Sequence, residues 1–493
     1  MHSNKEYARK IQRLIREKEK TSERLIKSKS ALKELRVENK FLRRRLKAIE
    51  ESRALWKSKN KLKAEQVKGL KKSLMRKDKA KSHQYELGLV ELCVRLRQQT
   101  SCSYRSIRKI IVLLNIYFSL GLRRCPCANT IQNWVTKTGL YYLETPGSSG
   151  LMGQVCAIVD ESVRLGQESM LLIVLCPASN DKREPLGHQD VCVAYLSGRE
   201  SWPGDLIKES IEKVAQDFNV EIAYILSDED TRLKKAARLL KVPHVADISH
   251  VLSTCLRKTF EKNEAYQAFR RELVYCQGKT LKQSLHYLRP AKQRLKARFM
   301  NQRGITDWGL GILNNLDKLN EQEQLCFEGL KDCRPLLEEL NACLNIFERV
   351  GLLFKNEGLS QETIKKVRQV LQKNATDSSL TKKCLEYLNN YLLTYEELLM
   401  DPATSLHGCS DVIESLFGIY KDKIKNNHRA GVSQLCLELP LCCLVNEEKI
   451  QVKAALEQNS VSDPSKWISD HSADNQEFKR RVLFQKSERF FNN

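Results

Sequence analysis

Apolar residues near the N-terminus recur at alternating spacings of three and four. Between Ile11 and Met75 the chain has no Pro and a single Gly, so a long helix with an apolar seam is predicted. With Leu25 at heptad position a, the seam consists of Leu25, Leu32, Asn39 and Leu46 at a, Leu35, Leu42, Ile49 and Trp56 at d, and Val67, Leu70 and Leu74 in the same frame. A seven-residue repeat of this kind predicts a coiled coil.

The composition of the seam indicates how such helices would pair. Asn39 at an a position favours two strands in register, because only there do the two amides satisfy each other. The seam is poor before Leu25 and between Arg53 and Lys63, so fraying or a break is expected there.

Residues 83–143 form a second region, in which dense apolar positions predict three helices. The last is predicted around Asn129 to Thr138, because Pro126 stops the incoming chain and Asn129 can cap the first turn. The outward side of this helix carries Thr130, Gln132, Asn133, Thr136 and Lys137. Amide, hydroxyl and cationic side chains opposite an apolar face are typical of a recognition helix in the DNA major groove, so a helix-turn-helix domain is predicted. A three-helix bundle whose polar face meets only water is the alternative.

After a linker rich in Gly and Ser at residues 144–150, the pattern changes to short β-rich runs. Strands are predicted at Gln154–Val159, Met170–Cys176, Asp190–Leu196, Glu221–Leu226 and Pro243–Ala246, with helices at Pro203–Phe218 and Glu229–Leu240. Three strands followed by alternating helix and strand resembles the order of the ribonuclease H-like fold. In that fold the first and fourth strands are neighbours at the sheet centre, so residues at their carboxyl ends are expected to meet.

The residues at those two ends are Asp160 and Asp228. A carboxylate at the end of a buried strand is costly unless something pairs with it, and two such carboxylates repel each other. A divalent cation resolves both problems, since Mg²⁺ prefers hard oxygen ligands and leaves positions open for phosphate and water. A magnesium site is therefore predicted at this edge of the sheet.

These acids, with two further stretches, resemble the catalytic elements of DDE/D transposases. Asp247-Ile-Ser-His250 is similar to the D-x-x-H element that follows the second acid in several superfamilies, including the hAT type. The stretch SDVIESLFGIYK, from Ser410 to Lys421, resembles the S-E-x-x-E-S-x-F-G-x-x-K motif of insertion-sequence transposases, which implies that Glu414 is the third acid. The motif's first Glu is replaced by Asp411 in this chain.

Other roles at this site follow from the resemblance or remain open. The resemblance implies that His250 contacts the scissile phosphate or the attacking water, whereas a histidine bonded to local backbone is the alternative. Asp247 either caps the helix that begins near Ile248 or bonds His250. Rival acids lie beside the chosen ones, namely Glu161, Glu229, Asp230 and Asp411.

The chain is thus predicted to be a multidomain α+β protein. Its segments are a basic coiled coil at 1–82, a helix-turn-helix domain at 83–143, a linker at 144–150, the first part of a ribonuclease H-like core at 151–254, an α-helical insertion at 255–405, the second part of the core with the third acid at 406–450, and a C-terminal tail at 451–493.

Further DNA contacts are predicted outside the acids. Related insertions carry a base-stacking aromatic, so Trp308 is a candidate to hold a flipped base, with burial between helices as the alternative. Lys421 and Lys425, after the third acid, are candidates to line a DNA channel, with a solvated helix face as the alternative.

Charge sharpens this picture because it is unevenly placed. The 493 residues carry a formal charge of +24, of which residues 1–82 contribute +19 and the remainder +5. The rod is therefore predicted to dimerise or form a higher oligomer and to lay its Lys57–Lys81 segment along DNA phosphates. A charged helix that only dimerises is the alternative.

Composition excludes several other classes. The apolar runs are strand-length and the charged N-terminus lacks a signal-peptide core, so no membrane association is expected. The 17 cysteines include no CxxC pair, which indicates reduced thiols in the cytoplasm or nucleoid, or the nucleus of a eukaryote.

The function that the resemblance implies is that of a DNA transposase. Such a protein would bind double-stranded element ends and target DNA, cleave a phosphodiester with water and join the freed 3′-hydroxyl to the target. It would use two Mg²⁺ ions, for which Mn²⁺ is an expected substitute. The alternatives are a non-catalytic DNA-binding or assembly protein and a ribonuclease H-like nuclease without strand transfer.

Overall fold

The structure is a computed structural model of the chain. It describes residues 2–74, 78–148, 150–165, 168–180, 184–282, 285–290, 299, 302–374, 378–401, 404–424, 432–447, 449–472 and 484. The chain divides into two units, one of residues 1–78 and 85–89 and the other of residues 79–84 and 90–493.

The first unit is dominated by one long helix, α1 (His2–Leu74). The break expected between Arg53 and Lys63 is absent, which corrects the sequence prediction. This stretch contains no Pro or Gly and consists largely of good helix formers, so a weak seam does not interrupt the helix. The seam side chains for which exposure is described, such as Leu32, Leu42 and Leu46, are more than half exposed in the single chain. The coiled coil remains a prediction.

Three helices follow, α2 (Leu87–Gln99), α3 (Tyr104–Phe118) and α4 (Ala128–Glu144). The sequence placed the start of the last helix at Asn129, but Cys127 is its N-cap and Asn129 lies inside the first turn. Helix α3 begins after Ser103, whose hydroxyl accepts a hydrogen bond from the Ser106 amide.

A five-stranded mixed sheet forms the centre of the second unit. Its strands are β1 (Gly153–Leu165), β2 (Glu168–Pro177), β3 (Cys192–Arg199), β4 (Val220–Ser227) and β5 (His244–Ala246), in the order β3-β2-β1-β4-β5. β1 pairs antiparallel with β2, as β2 does with β3, whereas β4 is parallel to both β1 and β5. The sequence prediction that the first and fourth strands are neighbours is confirmed.

Alternating side chains of the strands feed two apolar layers. Ala157 and Val159 of β1 pack on one face beneath α5 (Gly204–Phe218) and α6 (Thr231–Leu240). Ile158 projects to the opposite face, where it joins the larger core of the helical elements. Because of this alternation, the position of a polar residue in β1 determines toward which face of the sheet its side chain points.

The larger core is built by the helices after β5. They are α7 (Ile248–Phe260), α8 (Glu264–Lys282), α9 (Gln302–Asn314), α10 (Glu321–Leu325), α11 (Arg334–Glu357), α12 (Gln361–Lys373), α13 (Ser379–Glu396) and α14 (Asp411–Ile424). The described residues between 255 and 401 contain helices and no strand, as the sequence predicted for its insertion.

The first half of the predicted C-terminal tail is folded, whereas residues 473–483 and 485–493 lie outside the described residues. After α15 (Leu439–Cys442), residues 452–471 form α16 (Val452–Gln458) and α17 (Asp463–His471), and both helices pack against α4. Trp467 is buried, and the His471 carbonyl accepts a hydrogen bond from the Ser197 hydroxyl of β3. Short amphipathic helices lack a long periodic signal, which is why the pattern missed them.

The predicted linker does not separate α4 from the rest of this unit. Leu140 and Leu143 belong to the same core as the sheet, and a Cβ at Gly139 would lie 1.6 Å from the Leu437 carbonyl oxygen. This close approach requires glycine, and it seats α4 directly on the segment that precedes α15.

A buried carboxylate, Glu438, completes this packing. It forms ion pairs with Arg97 of α2 (2.8 Å) and Lys423 of α14 (2.5 Å), and it accepts a hydrogen bond from the Tyr104 hydroxyl of α3. Burial, then the charge of Glu438, raises the pKa of Tyr104. Glu438 is 2% exposed, so water has little access to its carboxylate, and groups from three helices compensate its charge instead.

Two further expectations concern the thiols and the membrane. All 17 cysteines are free, and 11 of them are buried, as the composition predicted. Among the described helices, none combines the length and the apolar character needed to span a bilayer.

Candidate active site

Asp160 and Asp228 occupy equivalent places on two adjacent parallel strands. The pairing of β1 with β4 ends at Ile158 opposite Leu226. Asp160 lies two residues further within β1, and Asp228 lies two residues after Leu226, directly beyond the end of β4 at Ser227. Side chains two apart share a face, and both Ile158 and Leu226 point into the larger core. The two carboxylates therefore project on the face covered by α7 and α14. β1 itself continues to Leu165, so Asp160 lies within the strand and not at its end.

The surroundings of Asp160 disfavour its charged form. Burial, then the negative charge of Asp228, raises the pKa of Asp160 to about 7, and Glu414 adds to the effect. The amide of Glu161, which donates to the Asp160 carboxylate at 2.7 Å, and the charge of His250 act in the opposite direction. The charges that act on Asp160 thus belong to the residue that follows β4 and to residues of α7 and α14.

His250 and Glu414 form the helical side of this group. The His250 Nε2 lies 3.2 Å from a carboxylate oxygen of Glu414. The hydrogen bond to Glu414 and the charges of Asp247, Asp228 and Glu414 raise the pKa of His250 to about 9, although burial lowers it. The imidazole is therefore a cation at neutral pH and lies among the acids.

Asp247 holds the two helices that carry His250 and Glu414. One of its oxygens accepts the backbone N–H of His250 at 3.0 Å, which caps α7. The other accepts the hydroxyl of Ser410 at 2.6 Å and the Ser410 amide, immediately before α14 begins. Burial raises the pKa of Asp247, and these bonds oppose the shift. Of the two roles left open by the sequence, capping is the one observed.

The rival acids all have cationic partners. Glu161 lies 2.6 Å from a guanidinium nitrogen of Arg232, which also pairs with Asp230 at 2.8 Å. Glu229 pairs with Lys234 at 2.9 Å, and Asp411 pairs with Lys355 of α11. By contrast, the described residues include no Lys or Arg ion pair to Asp160, Asp228 or Glu414. Asp160 and Asp228 are thus without a cationic partner among these residues, whereas Glu414 has the His250 imidazole.

A different set of residues has the tightest ligand-like spacing. Among the described residues, Asp247, Cys409 and Asp411 offer ligand atoms within 4.8 Å of one another, and Asp160, Asp228 and Glu414 do not form such a set. However, Ser410 already binds Asp247, and Lys355 binds Asp411. A cation would have to displace these protein partners, so this cluster is better explained as a set of contacts that connects α7, α11 and α14.

The predicted DNA-reading face of α4 is largely covered. Thr130, Gln132 and Asn133 are half-buried, and Lys137 is 3% exposed with its Nζ donating to the Leu456 carbonyl at 2.9 Å. The outward placement of Lys137 is therefore wrong, because α16 packs over the helix at this point.

The remaining predicted DNA contacts differ among themselves. Trp308 is half-buried, donates its Nε1–H to the Leu288 carbonyl at 2.9 Å and packs edge-on against Phe327, which are the contacts of a packing residue. Lys421 is exposed, with its Nζ 5.6 Å from the centre of the Phe417 ring. Lys425 lies outside the described residues.

Comparisons with known proteins include a remote likeness to a solved structure. No protein-family model matches the chain, and no curated protein matches it. Among solved structures, the chain is similar to the one titled "Drosophila P element transposase strand transfer complex", at 10% identity and a TM-score of 0.39, over 80% of this chain and 99% of that chain. Function therefore has to be argued from the residues themselves.

Proposed function

We propose that this protein is a DNA transposase of the DDE type, which cleaves DNA and transfers a strand in a metal-dependent reaction. One observation carries the proposal: Asp160 and Asp228 follow matched positions on adjacent parallel strands, and Glu414 is brought to them by α14. These three carboxylates lack Lys or Arg partners among the described residues, whereas each neighbouring acid has one. Three acids that have a single cationic histidine beside them favour a further cationic ligand.

The donor set fits Mg²⁺, with Mn²⁺ as a substitute. Carboxylate oxygens are hard ligands, and the pKa of Asp160 is raised to about 7 by burial and then by the charge of Asp228, a repulsion that a divalent cation would relieve. Asp160, Asp228 and Glu414 are the residues that would hold the ions. When bound, two such ions supply Lewis-acid stabilisation for the attacking and leaving oxygens of a phosphodiester.

The chain's own groups supply orientation and charge. His250 places a cation beside the acids, where it can contact a phosphate oxygen, and Asp247 fixes the starts of α7 and α14. In the first step water attacks a phosphodiester and a 3′-hydroxyl leaves. In the second step that hydroxyl attacks a target phosphodiester, so one bond forms and one breaks in each step.

A donor plasmid carrying the gene with its genomic flanks, mixed with a target plasmid, tests the proposal. We expect the wild type to cleave and join DNA. The variants Asp160→Asn, Asp228→Asn and Glu414→Gln should still bind DNA, but the rates of both reactions should fall by a factor on the order of 10³ or more, as expected when a transition-state contact is lost. Glu229→Gln, which removes an acid paired with Lys234, is the matched control and should stay active.

Three results would change the proposal. Cleavage without joining would make the protein a nuclease, and DNA binding without either reaction would make it a binding protein. Activity in Glu414→Gln together with its loss in Asp411→Asn would move the third acid.

We also propose that α1 joins copies of the chain. The exposure of Leu32, Leu42 and Leu46 supports this, because an uncovered apolar seam along a helix is costly in water. Removal of residues 1–82 should lower the sedimentation coefficient by more than the lost mass explains, and an unchanged state of association would refute the idea.

A further inference from the structure

The segment between Glu91 and Glu144 has an unusual charge balance. Residues 92–143 contain eight basic residues and no acidic one. Three of the eight are engaged within the fold: Arg95 with Glu91, Arg97 with Glu438, and the buried Lys137 with the Leu456 carbonyl. The other five are exposed, and no ion pair is described for them: Arg105, Arg108 and Lys109 on α3, and Arg123 and Arg124 in the loop before α4.

The three cations of α3 share one face of the helix. Positions 105, 108 and 109 are separated by three and four residues, which brings side chains together on an α-helix. The opposite face carries Ile107 and Ile111, both fully buried. The cationic face is therefore directed away from the packed core.

Apolar side chains continue this exposed face toward the end of the helix. Leu113, Ile116 and Tyr117 are 52%, 64% and 76% exposed. Large apolar groups on a surface rich in cations indicate a contact that combines charge attraction with desolvation.

The loop is fixed to the helix by one side chain. Asn115 donates to the Leu122 carbonyl at 3.2 Å and accepts the Leu122 amide at 3.0 Å. Arg123 and Arg124 follow directly, so the helix and the loop present their charges as one preorganised surface.

We infer that this surface, formed by the exposed face of α3 and the loop to α4, binds the backbone of duplex DNA. Arg105, Arg108, Lys109 and the two loop arginines contact phosphates, while Tyr117 lies against sugars or base edges. The choice of DNA as the occupant rests on the proposed function and on charge, since a duplex presents one negative charge for about every 1.7 Å of its axis. A second copy of the same surface would oppose like charges, which disfavours self-association here.

This inference relocates the DNA contact that the sequence assigned to α4. The candidate residues of α4 are half-buried or, for Thr136 and Lys137, buried, whereas α3 directs Arg105, Arg108 and Lys109 outward. The signal was already available, because the absence of acids from residues 92–143 can be counted without a structure.

The test measures binding of the full chain to a fluorescein-labelled 30-base-pair duplex of random sequence, by anisotropy between 50 and 200 mM NaCl. Two triple variants are compared. The α3 variant combines Arg105→Gln, Arg108→Gln and Lys109→Gln. The control variant combines Lys365→Gln, Lys373→Gln and Lys383→Gln, which removes three exposed cations from α12 and α13. We expect the α3 variant to bind at least about tenfold more weakly at 100 mM NaCl, with a salt slope reduced by about 2 to 3. The control should stay within about twofold of wild type, since its cations lie outside the proposed contact.

A second variant examines the apolar part. Tyr117→Ser should weaken binding by about threefold or more without changing the salt slope, because the lost contact is uncharged. Unchanged circular dichroism and melting temperature in all variants are expected, because every altered side chain is exposed.

The outcomes separate this inference from the proposed function. If the wild type binds DNA and the α3 variant binds it as tightly as the control does, the assignment of the DNA contact to α3 is wrong, whereas the proposal that the protein binds DNA is retained. If the wild type does not bind any duplex, both are overturned. If Tyr117→Ser lowers self-association but not DNA affinity, the apolar part is a protein contact and its assignment to DNA is overturned.

Discussion

Two groups of acids in the same unit differ in how their charge is compensated. Glu438 and Asp247 are 2% and 1% exposed, and protein donors from several elements surround each of them. Asp160, Asp228 and Glu414 lie closer to the surface but have no Lys or Arg partner among the described residues. Depth alone does not separate the groups, because Glu229 and Asp411 also lie near the surface and yet pair with Lys234 and Lys355. Acids of the first, compensated group hold elements of the fold together, whereas acids of the second, uncompensated group have only the His250 imidazole as a cation beside them.

The largest expected effect concerns the compensated group. Glu438→Gln leaves Arg97 and Lys423 without their counter-charge in a buried place, so we expect the free energy of unfolding to fall by about 3 kcal/mol or more. Urea unfolding followed by circular dichroism measures this. Glu212→Gln, which removes an exposed helix pair with Lys208, is the control and should cost less than about 0.5 kcal/mol. If the two variants lost the same free energy of unfolding, the buried ion pairs of Glu438 would contribute no more to stability than an exposed pair does, and the distinction drawn here would be wrong.

A gain in stability is expected from the uncompensated group. The folded pKa of Asp160, about 7, is above its ordinary value of 3.8, so the unfolded chain ionises first as the pH rises. The stability of the wild type relative to Asp160→Asn should therefore fall between pH 4 and pH 7 and then stay constant. At pH 8 with a chelator present, Asp160→Asn should be more stable than the wild type by a few kcal/mol, because each unit by which the pKa of Asp160 is raised lowers the stability of the wild type by about 1.4 kcal/mol.

Thermal melts at several pH values, each with the wild type beside Asp160→Asn, follow this difference. The charge of His250 also varies with pH, but it is present in both proteins. A difference that is independent of pH would mean that Asp160 is not held under electrostatic stress.

The smallest expected effect is that of the metal itself. Mg²⁺ at 10 mM should raise the melting temperature of the wild type, since a ligand bound only to the folded state stabilises it by about 1 to 2 kcal/mol at tenfold excess over its dissociation constant. The double variant Asp160→Asn, Asp228→Asn should not respond, and Asp411→Asn should respond like wild type. A response that depends on Asp411 would instead locate the ion at the cluster of Asp247, Cys409 and Asp411.

The order of elements was largely predictable. Short β-rich runs indicated all five strands, and the residues predicted to end the first and fourth, Asp160 and Asp228, could be expected to meet. Glu414 could be proposed only through its resemblance to a motif, because nothing local shows that α14 approaches the sheet. The approach depends on packing between segments about 190 residues apart in sequence.

The errors have the same physical origin. Lys137 and Thr136 look like outward residues of an amphipathic helix, but α16 and α17 cover that side of α4. The two covering helices are too short for a clear periodic signal. The prediction of a tail after residue 450 and the prediction that Thr136 and Lys137 face outward therefore failed for the same reason.

The sequence by itself determined the local elements, the concentration of positive charge in residues 1–82 and the acids that follow two neighbouring strands. Periodicity and capping are short-range properties, so a sequence displays them directly. Only the tertiary structure decided which acids are compensated. The partner of Glu438 is Arg97, 341 residues away, and such a pairing is set by the packing of whole elements and not by any local pattern.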